Sequence, residues 1–348
     1  MHAPRLGSRV GSRGLGLIAL LGALVGVLAL AAAAAGAAAW WWLDRPLPLA
    51  AERVEVSIEP GTSPRTVAEA WVAAGVGTDA RLLYEWFRWS GEARRIRAGS
   101  YEVEPGITPR TLLDKMVRGD ETLEQVRFIE GWTLRQLRAA LAAAPHLRPL
   151  TAAMSDTELM AALGSPGVAA EGRFFPDTYA YSRGVSDLTV LKRAHAAMKQ
   201  RLDAAWAERA PDLPLKSADE ALILASIVEK ETGRASDRGQ IAGVFVNRLR
   251  IGMPLQTDPT VIYGLGESFD GNLRRRDLET DGPFNTYMRR GLPPTPIALP
   301  GMASLRAAVR PEATKALYFV ARGDGTSVFS ENLADHNRAV NRYQRGQP

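Results

Sequence analysis

No side chain between Leu15 and Trp42 is charged, and this run closes on Trp40, Trp41 and Trp42. A helix needs roughly 20 apolar residues to cross a bilayer core, so the stretch is long enough to span one with its indoles at the headgroup layer. Arg5, Arg9 and Arg13 precede it, and Asp44 and Arg45 follow. The positive-inside rule then keeps the N-terminus in the cytoplasm and puts the remainder outside. A cleaved signal peptide is the competing reading, although its apolar core usually runs only about 7–15 residues. After the stiff Pro46-Leu-Pro48 linker the period changes. Val54–Ile58 alternates like a strand, Glu59-Pro60-Gly61 reads as a turn, and Ser63-Pro64 as a helix start. Val67, Ala68, Trp71 and Val72 give helical spacing, and Gly75 stops it. The same text returns at Ser100–Val103, Glu104-Pro105-Gly106 and Thr108-Pro109, with Leu112, Leu113, Met116 and Val117 as its stripe. A weaker third copy begins at Val126. No such unit buries its apolar face alone, so the three are expected to pack together. Another helix is predicted over Ala80–Trp89.

Beyond Leu147 the pattern is mostly helical to Arg250. Ser155–Leu163 carries the capping-box spacing of Ser155 and Glu158, Leu188–Glu208 is a long amphipathic helix, and Ser217 caps another with Glu220 at its third position. In that last helix only Ser226 interrupts the apolar run Ala221–Val228. A helix apolar all round is a buried one. Gly233 stands as its C-cap. A Gly- and Pro-rich stretch reaches from Arg250 to Gly301 with few periodic segments, and a loop of that length usually has a function. Strands at Ala316–Ala321 and Ser327–Phe329, joined through Gly323–Gly325, and a final helix from Asn332 complete an α+β chain.

Composition narrows the chemistry. A length of 348 residues suggests about two domains, and 46% hydrophobic with 23% charged residues supports a sizeable core. With no cysteine there is no disulfide, Cys-based zinc site, iron–sulfur cluster or Cys nucleophile. Four histidines (His2, His146, His195, His336) form no local metal motif. The net charge is +5, and the three arginines ahead of the apolar run supply most of it, too little elsewhere to argue for nucleic acid. Gly-rich phosphate loops, H-E-x-x-H, G-x-S-x-G and S-x-x-K are missing. Their absence argues against nucleotide enzymes, zinc peptidases, α/β-hydrolases and penicillin-binding enzymes. No metal or cofactor is expected.

The buried helix ends in Glu229, Lys230, Glu231 and Thr232. Residues two apart on a helix point about 200° away from each other, so Glu229 and Glu231 cannot face one another as an acid pair. Glu231 continues the stripe of Leu224, Ile227 and Val228. A carboxyl there resists ionisation, and the helix C-terminus pushes its pKa in the same direction, toward that of a general acid. An ordinary solvated helix end is the alternative. Downstream, Gln256, Thr257, Asp258 and Thr260 put four hydrogen-bonding side chains in five residues. Phe284-Asn285-Thr286-Tyr287 and Gly291–Ile297 follow. Polar groups among aromatic rings and prolines suit a sugar-binding groove, and a structural loop of this composition is the other reading. Glu171 and Asp177 flank Gly172–Pro176 as groove wall, as support for the buried helix, or as a structural turn. His336-Asn337 reads as a satisfied pair, and His195 as solvated.

Long strings resemble the endolytic murein transglycosylase family (YceG-like, MltG-type). They are Glu171–Tyr181, Ala225–Thr232, Val244–Gly264, Phe284–Tyr287 with Gly291–Ile297, and Tyr318–Asn337. Phe284 stands where this family commonly has Tyr, and Leu299 where it has Asn. The resemblance covers about Arg45 to Arg342. It implies a cytoplasmic tail over 1–14, a transmembrane helix over 15–42, a LysM-like strand–turn–helix subdomain over 43–125, and a mixed α/β catalytic domain over 126–345. It further implies an inner-membrane, single-pass protein whose periplasmic part cuts nascent peptidoglycan strands internally. Cleavage falls between N-acetylmuramic acid and N-acetylglucosamine, leaves a 1,6-anhydro end, and terminates elongation. The family's catalytic glutamate falls on Glu231. Gln256, Thr257, Asp258, Asn285 and Tyr287 are then expected to orient the glycan or polarise Glu231. Glu229, Glu171, Asp177 and Asn247 support them, with Glu229 pairing with Lys230 or Arg248. Cell-wall synthesis enzymes are the expected protein partners. A water-using muramidase and a non-catalytic, membrane-anchored glycan-binding scaffold are the rival readings.

Overall fold

A computed structural model describes residues 12–346 except Gly233, with side chains from residue 21 on. The expected tail with Arg5 and Arg9 and the expected Gly233 cap lie outside the described residues. The chain is a mixture of helices and short antiparallel strand pairs. It divides into two compact units, one ending at Thr122 and the other beginning at Leu123.

The first unit opens with α1 (Ser12–Leu43). Its segment Leu21–Leu43 holds an 18-residue window of mean hydropathy 2.1 in which no residue is buried, which is consistent with a membrane anchor. Then come β1 (Val54–Ile58), α2 (Pro64–Ala73), α3 (Ala80–Trp89), β2 (Gly99–Val103) and α4 (Pro109–Arg118). The first two sequence repeats are β1–α2 and β2–α4. Their strands pair antiparallel, with Val54 opposite Val103 and Ile58 opposite Gly99. Ser63 and Thr108 cap the two helices as the sequence predicts, each side chain accepting a backbone N–H one turn on. Gly75 holds φ +115, a conformation that disfavours any side chain. Val67, Trp71, Leu83, Phe87, Leu112 and Met116 form the core of this unit.

The third repeat departs from expectation. β3 (Leu123–Arg127) and α5 (Leu134–Ala143) belong to the second unit, and β3 pairs with β4 (Thr178–Ser182), a strand inside the stretch read as helical. The physical reason is the period-two pattern of Thr178–Ser182. It buries Tyr179 and Tyr181 on the face that meets Val126 and Phe128. α6 (Asp156–Ala162) carries the predicted capping box at Ser155. α7 (Asp187–Ala207), α8 (Ala218–Glu231), α9 (Ala235–Arg250) and α12 (Met302–Val309) form the main helical core. α8 lies against α7, α9 and α12, and against α10 (Asp258–Leu265) as well. Every residue from Ala221 to Val228 is buried. Ser226 fits there because its hydroxyl donates to the Ile223 carbonyl (2.7 Å) and accepts the Ile297 N–H (3.0 Å). The Gly- and Pro-rich stretch is less irregular than its composition suggests, since it holds α10 and the short α11 (Arg275–Glu279). β5 (Tyr318–Ala321), β6 (Ser327–Ser330) and α13 (Leu333–Tyr343) end the chain, α13 capped by Asn332.

Candidate active site

The site grows from the last turn of α8. Glu229, Lys230 and Glu231 leave the helix on three sides, and each finds a different partner. Glu229 Oε2 accepts the Gly301 N–H at 2.9 Å, and Lys230 Nζ donates to the Gly131 carbonyl at 3.3 Å. Glu231 Oε1 accepts a hydrogen bond from the Thr257 hydroxyl. The expected pairing of Glu229 with Lys230 or Arg248 is therefore corrected. A backbone amide satisfies Glu229, while Arg248 is turned toward carbonyls. Glu231 is half-buried at the end of an aliphatic stripe. Desolvation raises its pKa above the ordinary Glu range, and the Asp258 carboxylate adds to that; the bond from Thr257 and the Arg248 guanidinium only partly offset it.

Thr257 is held by the loop around it. Its N–H donates to Thr286 Oγ1 (3.1 Å), and its carbonyl accepts the Thr260 hydroxyl (2.8 Å). Thr260 and Thr286 touch through their hydroxyls at 2.9 Å, and all three threonines are buried. Gln256 has φ +50, and its N–H reaches the Thr286 carbonyl at 3.1 Å. A non-glycine residue in that region is strained, and such strain gathers where a loop must present a neighbour in one orientation. The Gln256 side chain is exposed. Arg248, itself buried, clamps the loop from behind by donating to the Pro254 (3.2 Å), Leu255 (2.7 Å) and Leu317 (2.7 Å) carbonyls. Asp258 opens α10 and accepts the Tyr287 hydroxyl at 2.5 Å. Burial and that carboxylate hold the Tyr287 phenol neutral well above its usual range.

The remaining candidates lie in supporting positions. Asn285 is buried, with its amide donating to the Asp277, Leu278 and Thr280 carbonyls and its oxygen accepting the Tyr287 and Met288 N–H groups. It shapes the loop and has no amide hydrogen left for a sugar. Asn247 ties α9 to the Thr314 and Ala316 carbonyls. Asp177 accepts its neighbour's N–H and faces Arg201 at 3.8 Å, without reaching the Glu231 group. Glu171 is buried and accepts the Leu134 N–H, the Gly172 N–H and the Tyr263 hydroxyl. Desolvation still pushes its pKa up to about 7. Glu171 and Lys230 line one cleft of about 740 Å³, together with Leu134, Tyr263 and Phe269.

Thr286 and Arg248 have no sequence signal of their own. Thr286 sits between two residues that the pattern singles out, and Arg248 enters the sequence reading only as a partner for Glu229, not as a clamp on the loop. His195, expected to be solvated, is half-buried, with one ring nitrogen at Ser165 (3.0 Å) and the other at the Arg173 carbonyl (3.1 Å). His336 stacks on Tyr318, whose ring lies under Arg248.

The YceG-like family profile matches residues 56–342, most of the chain and all of the site. The chain belongs to the YceG-like family. An endolytic murein transglycosylase of Bacillus subtilis is 31% identical over 307 residues, covering 83% of this chain and 84% of that protein. One from Streptococcus pneumoniae is 27% identical over 335 residues, 86% of this chain but only 60% of its relative's length. The crystal structure of a yceG-like protein from Listeria monocytogenes superposes with a TM-score of 0.54 at 30% identity, covering 82% of this chain and 98% of the other. Membership in the YceG-like family thus rests on sequence and fold together.

Proposed function

We propose that this protein is an endolytic lytic transglycosylase of peptidoglycan and that Glu231 is its acid and base. One observation carries the reading: a carboxyl desolvated at the end of a buried helix and oriented by the Thr257 hydroxyl, while the neighbouring Asp258 carboxylate is engaged by the Tyr287 hydroxyl. Glycosidases that use water generally need two carboxylates. Glu229 and Glu231 face different ways, as their separate partners make plain. A lytic cleavage needs one carboxyl. Protonated Glu231 gives its proton to the glycosidic oxygen as the bond to the muramic C1 breaks. The sugar's own C6 hydroxyl then closes on C1, and the Glu231 carboxylate takes the proton that hydroxyl loses. An intramolecular nucleophile brings a high effective molarity and replaces a second activating group. Thr257 orients the acid, Asp258 and Tyr287 form the polar wall beside it, and exposed Gln256 is free to meet the substrate. Glu229, Glu171, Asn285, Asn247 and Asp177 position the elements around them.

The bond cut is that between N-acetylmuramic acid and N-acetylglucosamine in nascent strands, which ends their elongation. The apolar α1 anchors the chain in the inner membrane, with the N-terminus in the cytoplasm and everything after α1 in the periplasm, within reach of cell-wall synthesis enzymes. The strand–helix–helix–strand order of β1, α2, α3 and β2 supports a LysM-like fold for the part before the catalytic domain. Mass spectrometry of products from uncrosslinked glycan tests the proposal. Wild type should yield ends one water lighter than hydrolytic ends, and Glu231→Gln should yield none. Hydrolytic ends would favour the muramidase, and glycan binding without any product would favour the scaffold.

A further inference from the structure

The cleft of about 740 Å³ sits beside Glu231, not in line with it. Successive helix residues point about 100° apart, so Lys230 enters the cleft while Glu231 faces Thr257. The same division appears on α10, where Asp258 meets Tyr287 while Pro259, Ile262 and Tyr263 line the cleft. A branch on a sugar held at Glu231 therefore has this cleft beside it. Charge says which branch. Of the rim charges, Arg135 is paired with Glu267 (3.0 Å) and half-buried Arg138 with Asp156 (2.9 Å). Lys230 has one bond, to a backbone carbonyl at 3.3 Å, and among the described residues no carboxylate within ion-pair distance. At the buried end Glu171 receives donated hydrogen bonds and, with its pKa pushed up to about 7, carries only part of a charge near neutrality. The pocket is thus biased toward an anion at its Lys230 mouth, with apolar walls from Ile262 and Phe269 behind.

We infer that this cleft receives the acidic peptide stem borne by the muramic sugar, with the Lys230 ammonium pairing to a stem carboxylate. Lys230 is then a specificity-determining residue: the enzyme distinguishes strands that carry stems from stripped ones. The inference rests on the lytic reading above, and one experiment separates the two. The full-length chain in detergent is given uncrosslinked strands with intact stems, or the same strands after an amidase has removed the stems. Wild type should show kcat/KM about tenfold higher on stem-bearing strands, the size of one charge-assisted hydrogen bond. Lys230→Gln should bring that ratio close to one, and Lys230→Arg should restore most of it. Equal cleavage of both strands by wild type, or a Lys230→Gln variant slowed on both in the same proportion, overturns the inference and leaves the lytic reading standing; the second pattern points to a sugar ring in the cleft. A wild type that cuts neither strand removes the lytic reading and the inference with it. Titration of inactive Glu231→Gln with each strand type gives a second measure, in which tighter binding of the stem-bearing strand is expected and equal binding contradicts.

Discussion

At position 231 one carboxyl is pulled two ways. Burial and Asp258 favour its protonated form, and Thr257 and Arg248 favour the anion. Because the proposed reaction starts from the acid, the rate should fall as pH rises through this raised pKa. Thr257→Val removes a donor that favours the carboxylate, so the descending limb of the kcat profile should move to higher pH. Lost orientation should also lower the maximum rate about tenfold or more. A limb that moves to lower pH contradicts the assignment. Glu171 allows a separate test through stability. Its folded pKa of about 7 lies above the unfolded value of about 4.3, so its contribution is full below that value and is lost as pH rises through about 7. The loss amounts to about 4 kcal/mol at most. Denaturant midpoints should therefore fall between about pH 4 and 7 in wild type, and Glu171→Gln should flatten that decline. A slope unchanged by the substitution would show that Glu171 does not carry it.

At the scale of elements, α8 sets the geometry. Its polar exception, Ser226, joins two backbone groups in a dry interior, so Ser226→Ala leaves the Ile297 N–H unpartnered and should cost about 1–3 kcal/mol, read as a lower melting temperature. Full wild-type stability in that variant would mean that the helix does not depend on this bond. The helix was legible in sequence because an unbroken apolar run permits little else, and a carboxyl at its end stood out for the same reason. Caps at Ser63, Thr108 and Ser155 were legible because capping depends on near neighbours alone. The third repeat was not. Whether Val126 pairs with β1 or with Tyr179 depends on contacts between distant segments, which local text does not encode. α10 was hidden by the glycines and prolines around it, although Asp258-Pro259 is an ordinary helix start. Gln256, Thr257 and Asp258 were legible as a polar cluster. Their division of labour was not, because it depends on Thr286 and Arg248 arriving from elsewhere in the chain. Asn285 shows the converse: a side chain typical of sugar sites, here fully engaged with backbone.

For the whole molecule, the proposal joins an anchored helix to a cutter of growing strands. Removal of residues 1–43 should shift the protein from the membrane to the soluble fraction, with activity on dissolved strands retained; persistent membrane association would contradict α1 as the anchor. A periplasmic reporter fused after residue 348 should be active and a cytoplasmic one silent, and the reverse result would invert the orientation. Every part of this account still returns to a proton held at one helix end. The most direct measurement is difference infrared titration of the full-length protein, wild type against Glu231→Gln, following the carbonyl stretch of the protonated acid. The account predicts a band that disappears with the substitution and persists to a pH well above the ordinary Glu value of about 4.3. A Glu231 band lost at or below that value would contradict it.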